Sequence, residues 1–173
     1  PAVLGRWWED GRTKPLTILS QPAVIDQIKD ILEYGYRTLP ARFKYPIDYV
    51  AARAGETLES HGARFRFAAT RHSVTNLAIR VEAAGKAVCL SGDGMFTDES
   101  AAPFAGADLV FHEAFSFEAS PVHTDIDALL AMAAGAGVGR LALTHVQRKV
   151  RLARARIDDA MKAAAVKAIM PEP

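Results

Sequence analysis

The chain has 173 residues, 50% hydrophobic and 24% charged, with 21 Lys+Arg against 20 Asp+Glu and a formal net charge of +1. A chain of this size buries a large share of its surface, and its near-neutral balance excludes a globally basic nucleic-acid binder or a surface drawn to acidic membranes. We expect one globular domain over residues 1–173.

No apolar stretch approaches the roughly 20 residues of a membrane span, and PAVLGRWWEDGR lacks the pattern of a secretory leader. No membrane partner is therefore expected, and the expected location is cytoplasmic. In chain order, the opening Pro1-Ala2-Val3-Leu4 is apolar and enters without a methionine, as though inside an element. Trp7 and Trp8 follow; they suit an interface such as that of a homodimer, a pocket mouth or the core, and the sequence leaves all three open. Leu16–Ser20 is a short apolar run, and Pro22 precedes Val24, Ile25, Ile28, Ile31 and Leu32 at helical spacing, so a strand and then a helix are predicted. After Pro40 and Pro46 come three strand-like pieces, Ile47–Val50, Thr57–Ser60 and Arg64–Thr70, the last with a clean RFRF alternation. Asn76–Val81 and Lys86–Leu90 flank Ala84-Gly85, which predicts a hairpin. Cys89 lies in that second run, where it pairs with no other cysteine and reads as a small buried hydrophobe.

The grammar then changes. DESAAPFAG is a short helix-like piece and Asp108–Phe111 a strand. Thr124 is the predicted cap of a helix to about Ala134, with Asp127 three residues on as its capping-box partner. Gly135 and Gly137 end that helix. Arg140–Thr144 reads as a strand, Leu152–Ala164 as a helix and Val166–Met170 as a last short strand. Strands alternating with helices imply parallel pairing, the earlier hairpins imply antiparallel pairing, and together they predict an α/β domain with a mixed sheet and covering helices.

Metal-type or acid/base residues recur just past the ends of successive apolar runs. RFRFAATR leads to His72, KAVCLSG to Asp93, DLVF to His112-Glu113 and RLALT to His145. Strand ends of an α/β sheet lie along one rim, where such folds place their ligands. Two imidazoles and a carboxylate are donors that a borderline-soft divalent cation such as zinc accepts. Taken singly, each His has a plainer reading as a hydrogen-bonded residue near a strand end, and Ser91-Gly92-Asp93-Gly94 a plainer reading as a turn. The recurrence of the set points to metal.

The SGDG at 91–94, the strand and HEA at 108–114, the His-Thr at 123–124 opening a helix and the LTH at 143–145 resemble, in that order, consecutive motifs of ribonuclease Z-like members of the metallo-β-lactamase superfamily. His72 in ATRHSVTNLAIR fits the family's preceding histidine ligand, and PAVLGRWWEDGRTKPLTILSQPAVIDQIKDIL resembles the stretch after its first metal motif. The resemblance implies an αββα sandwich and a hydrolase with two divalent ions, usually Zn2+, with Mn2+ or Fe as alternatives. It assigns His72 to one ion, His145 to the other and Asp93 as a bridge. It also assigns Glu113 and His123 as the pair that protonates the leaving group. The family's H-x-H-x-D-H motif does not occur in this sequence, and alignment of the flanks places it just before Pro1. On this reading the domain is N-terminally incomplete.

The resemblance further implies a small-molecule ester or phosphodiester as substrate. Only one hairpin separates His72 from Asp93, where bacterial ribonuclease Z carries a long Gly/Pro-rich arm that grips tRNA, which argues against tRNA. After His145 the chain has Val146-Gln147-Arg148-Lys149 in place of the family's usual Phe-Ser stretch, and Arg148 is the candidate substrate-binding residue. The basic run Arg148, Lys149, Arg151, Arg154 and Arg156 otherwise reads as the solvated face of a helix. Two other classes stay open: a noncatalytic or incomplete module that needs another segment, and an RNA-binding protein using that basic helix.

Overall fold

The computed structural model describes residues 2–35 and 37–171, which form two compact units, Pro1–Arg53 and Ala54–Pro173. The first unit begins with α1 (Ala2–Glu9), β1 (Leu16–Ser20) and α2 (Pro22–Gly35), and β2 (Ile47–Ala51) pairs parallel to β1 with Leu16 opposite Ile47. Strand β1 and helix α2 fall where the apolar run and the helical spacing predict them. Helix α1 was not anticipated, because an apolar opening of four residues has no helical period to read. Its indoles have local partners. Trp8 Nε1 donates to the Arg42 carbonyl at 3.1 Å, and the Arg12 guanidinium sits 4.8 Å over the Trp7 ring. Tyr45 donates its hydroxyl to the Leu4 carbonyl at 2.9 Å.

The second unit is built on a seven-stranded sheet in the order β3-β4-β5-β6-β7-β8-β9. Strands β3 (Thr57–Ser60), β4 (Ala63–Thr70), β5 (Asn76–Ala83) and β6 (Lys86–Leu90) are antiparallel neighbours. Strands β7 (Leu109–Glu113), β8 (Leu141–Thr144) and β9 (Ala168–Ile169) continue the sheet in parallel. The expected mixed sheet is thus present, with the change of sense at β6/β7. The β5–β6 turn holds Ala84 and Gly85 at positive φ, as a tight two-residue hairpin requires.

Between β6 and β7 lie α3 (Asp98–Ala101) and a 3-10 turn (Ala102–Phe104); α4 (Ile126–Gly135) joins β7 to β8, and α5 (Arg148–Leu152) and α6 (Arg154–Ala163) join β8 to β9. Ile126, Leu129 and Ala133 of α4 and Ile157 of α6 are fully buried in one cluster with Val110, Leu141 and Leu143 of the sheet. Truncating Leu129 to Ala removes a side chain from the centre of this cluster and is expected to cost about 2–5 kcal/mol, read as a lowered urea midpoint. Cys89 is buried in the same cluster; burial pushes its thiol up to about 11, as expected for an inert core cysteine.

Several boundaries shift by a residue or two from the expected ones, among them β9, which is Ala168–Ile169 where Val166–Met170 is expected, and three departures bear on the site and its helices. Strand β7 starts one residue late because the Asp108 carboxylate instead takes the Ala87 N–H at 2.9 Å and Lys86 Nζ at 2.7 Å, and it runs on through His112-Glu113 because Glu113 pairs with Thr144. The cap of α4 is Asp125, which accepts from Ala128 N at 2.8 Å, and not Thr124 with Asp127. A parallel bridge between Ser116 and Asp125 holds Asp125 in extended backbone (φ −76, ψ 152), so the helix begins after it. The helix expected over 152–164 is α6, Arg154–Ala163, and a separate short helix, α5, precedes it across a break at Ala153 (φ −89, ψ 44), although RKVRLARAR contains no Gly or Pro to mark the break.

Candidate active site

Four of the residues predicted from the strand-end pattern, His72, Asp93, Glu113 and His145, gather at one rim of the seven-stranded sheet, together with His123, which the resemblance assigned. The loops carrying His72 and Asp93 are joined by a two-way main-chain bridge, in which Arg71 and Met95 exchange N–H···O bonds of 2.9 Å each. Asn76, at the start of β5, binds the Thr70 hydroxyl with its side-chain amide and donates to the Ser91 carbonyl at 2.9 Å. One amide thereby clamps the end of β4 to the start of the 91–94 turn. The fit leaves no room for a side chain: a Cβ on Gly92, which has φ +65, would strike Asn76, and one on Gly94 would strike Thr70.

Ser91 ties this turn to the next strand. It is buried, its N–H donates to the Phe111 carbonyl at 3.0 Å, and its Oγ accepts from Glu113 N at 2.9 Å. The Asp93 carboxylate is left facing outward, with Oδ1 3.6 Å from His145 Nδ1. His145 has φ +50, a left-handed conformation uncommon for a residue with a side chain. Gln147 N donates to the Phe115 carbonyl at 2.9 Å and anchors the loop that carries it.

Along β7 adjacent side chains leave opposite faces. His112 goes to the core, edge-on to Phe96 and Phe104, with Nδ1 2.7 Å from the Glu113 carbonyl. Burial holds its pKa down at about 4, so it is a neutral imidazole. Glu113 goes to the rim. Its side chain is fully buried, Oε1 accepts the Thr124 N–H, and Oε2 lies 3.5 Å from His123 Nδ1 with no hydrogen bond of its own. Burial raises the Glu113 carboxyl above its ordinary value, against the opposing pull of the Thr124 hydrogen bonds and of His123 and His145.

His123 is the hub of the cluster. Its ring stacks on Phe115 at 4.4 Å and lies 5.3 Å from the His72 ring and 5.6 Å from the His145 ring. Its Nδ1 is 3.1 Å from the Asp93 carbonyl as well as near Glu113. A carbonyl oxygen only accepts, so Nδ1 carries a proton and Nε2 is the nitrogen left to face the rim. Asn76, Ser91 and Phe115 were missed by the sequence reading. Ser91 and Phe115 lie inside or beside recognisable motifs, but Asn76 carries no local signal at all.

Two imidazoles and one carboxylate fit a divalent cation in kind. In arrangement the described residues supply a partial set. Asp93 and His145 face each other, His72 joins them through the ring of His123, and among the described residues no group of three or more His, Cys, Asp or Glu is spaced to hold an ion. Among the described residues no helix is long and apolar enough to cross a membrane.

The model of the beta-lactamase superfamily domain matches residues 8–146. Among curated proteins, none matches the sequence. Among solved structures, the metallo-beta-lactamase fold protein YhfI from Bacillus subtilis is similar at 22% identity and a TM-score of 0.74, over 99% of this chain and 69% of its own. Zn(2+)-bound PqqB from Methylobacterium extorquens follows at 15% identity and a TM-score of 0.64, over 92% and 61%. A diphosphatase from the PhnP family is similar at 15% identity and a TM-score of 0.63, over 92% and 57%. The chain thus spans roughly three-fifths to two-thirds of the length of these proteins.

Proposed function

The chain belongs to the beta-lactamase superfamily, and on that basis we propose that it serves a metal-dependent hydrolase of ribonuclease Z-like type that cleaves a small phosphodiester or related ester. The observation that carries this reading is the convergence of His72, Asp93, Glu113, His123 and His145 on one rim, with a fully buried carboxylate behind an imidazole. His72, Asp93 and His145 are this chain's share of the donors for a divalent ion, zinc first among the candidates. Such an ion, when bound, polarises a phosphoryl or carbonyl oxygen and lowers the pKa of water.

The chain's own residues supply the proton chemistry. Glu113 accepts from Thr124 through one oxygen and presents the other to the His123 Nδ1 side, where the Asp93 carbonyl holds the Nδ1 proton and leaves Nε2 for the substrate. In this role His123, once protonated, gives its proton to the departing oxygen, and Glu113 stabilises the imidazolium that precedes the transfer. Stacking on Phe115 keeps the ring from turning. Arg148, three residues past His145, is the residue proposed to meet the negative charge of the ester, a reading supported by its place beside His145 in one cleft.

A second reading, an incomplete module that needs another segment, is favoured by the partial donor set among the described residues. Metal removal separates the two. In the full-length protein, dialysis against chelator is expected to abolish hydrolysis of bis(p-nitrophenyl) phosphate, with recovery on adding Zn2+ or Mn2+ and uptake by mass spectrometry of at least one ion per chain. No uptake and no turnover would establish the module reading.

A further inference from the structure

The basic run 148–156 divides by what each cation touches. Arg154 is bound to Asp158 within α6 at 2.7 Å, and Arg156 lies over the Phe117 ring at 3.9 Å. Arg148 and Arg151 have no carboxylate at ion-pair distance among the described residues. Both instead line a cleft of about 550 Å³ together with Phe115, His145, Val146 and Leu152. The cleft opens directly on the candidate active site, since His145 belongs to both and Phe115 forms one wall while stacking on His123.

The lining has two chemistries. Two guanidiniums without a carboxylate partner among the described residues give planar, forked donors suited to phosphate oxygens. Phe115 and Val146 give an apolar wall, continued by Leu152, a large apolar side chain that is 78% exposed. A soluble surface gains nothing by holding a leucine that far into water beside two unneutralised cations, whereas a ligand that is anionic at one end and apolar at the other satisfies both. The cleft walls are tied by the Gln147 N–H to Phe115 carbonyl bond, so the binding surface is preformed.

We propose that this cleft is a specificity subsite for an organic phosphate with a flat apolar or aromatic group, the phosphate held by Arg148 and Arg151 and the apolar group packed between Phe115 and Leu152. Its role in selecting substrate rests on the hydrolase reading above; its binding chemistry does not.

Phenylphosphonate, which has no ester to hydrolyse, is the probe, titrated calorimetrically into the full-length protein in chelator. R148Q and R151Q are each expected to weaken its binding about tenfold or more. K149Q, on the same helix but outside the cleft lining, is expected to leave it unchanged. L152S is expected to weaken phenylphosphonate a few-fold and to leave methylphosphonate unaffected. Equal binding by R148Q, R151Q and the unaltered protein overturns the proposal, as does an equal loss in K149Q, which would mark a diffuse charge effect. D93A is expected to retain phenylphosphonate binding. If the Arg variants lose the probe while the protein takes up no metal and hydrolyses nothing, the hydrolase reading falls and the anion-binding cleft stands.

Discussion

Asp93→Ala is expected to remove metal uptake and to lower phosphodiesterase turnover by at least about 10³-fold while leaving the fold intact. The carboxylate is the only anionic donor among the three proposed ligands, and losing several kcal/mol of charge stabilisation at a reacting phosphoryl group amounts to about three orders of magnitude in rate. The fold is expected to survive for a reason visible in the geometry. The Asp93 side chain is 60% exposed, and the contact to His123 is made by the main-chain carbonyl, which alanine keeps. Exposed substitutions of this kind change stability by about 0.5 kcal/mol or less. The measurement is paired: metal content and turnover must collapse while the melting temperature holds. Full turnover in the variant would refute the metal-site assignment, and a large fall in melting temperature would recast Asp93 as structural.

Glu113→Gln is expected to move activity and stability in opposite directions. Glutamine has nearly the same shape, and its amide oxygen replaces the acceptor of the Thr124 N–H. Its NH2 then faces the His123 Nδ1–H, which the Asp93 carbonyl holds in place, so that two donors oppose each other and the negative charge that stabilises the imidazolium is lost. Loss of the carboxylate behind a catalytic imidazole costs on the order of 10⁴-fold in turnover.

Stability behaves differently because burial raises the Glu113 carboxyl above its ordinary value. The folded chain then holds this proton more tightly than the unfolded chain. Between the ordinary and the raised pKa the folded state binds more protons, so stability falls as pH rises through that window, and the deficit persists above it. Removing the charge with glutamine is expected to raise the melting temperature near neutral pH. The gain should vanish below the ordinary carboxylate range, where Glu113 is protonated in both states. Melting curves of the two proteins from pH 4 to 8 test the sign: a variant less stable at neutral pH and equal at low pH would show that the carboxylate is held ionised by its neighbours.

His112 pulls the other way. Its neutral form is enforced by burial among Phe96 and Phe104, so the unfolded chain takes up this proton as pH falls through the ordinary histidine value, and the fold loses stability down to about pH 4. Adjacent residues on one strand thus give opposite slopes because burial disfavours the charged form of each, which is the deprotonated carboxylate of Glu113 and the protonated imidazolium of His112.

The strands and the candidate site differ in how far the local sequence foretells them. Period-two alternation and short apolar runs mark β1 to β8 because a strand's burial is set by which face each residue takes, and that is written locally. The strand-end positions of His72, Asp93, Glu113 and His145 are legible for the same reason, since a residue just past a predicted strand lies at the rim, whereas His123, ten residues past β7, is legible only through the resemblance. The order of the motifs, read as a resemblance, adds the superfamily, and the match over residues 8–146 establishes it.

What the tertiary structure alone decides is which of these residues meet and what holds them. The Asn76 clamp spans 15 residues to Ser91, and the carboxylate of Glu113 takes an N–H 11 residues on, at Thr124. That second bond, with the Ser116–Asp125 bridge, moves the cap of α4 from Thr124 to Asp125. The basic run reads as one helical face in sequence, yet the break at Ala153 sends Arg154 to Asp158 and leaves Arg148 and Arg151 at the cleft with no carboxylate partner among the described residues. Local pattern fixes the face on which a side chain lies, because the faces repeat every two or 3.6 residues. Partners are fixed by loop closure and packing between distant segments, and no local period encodes them.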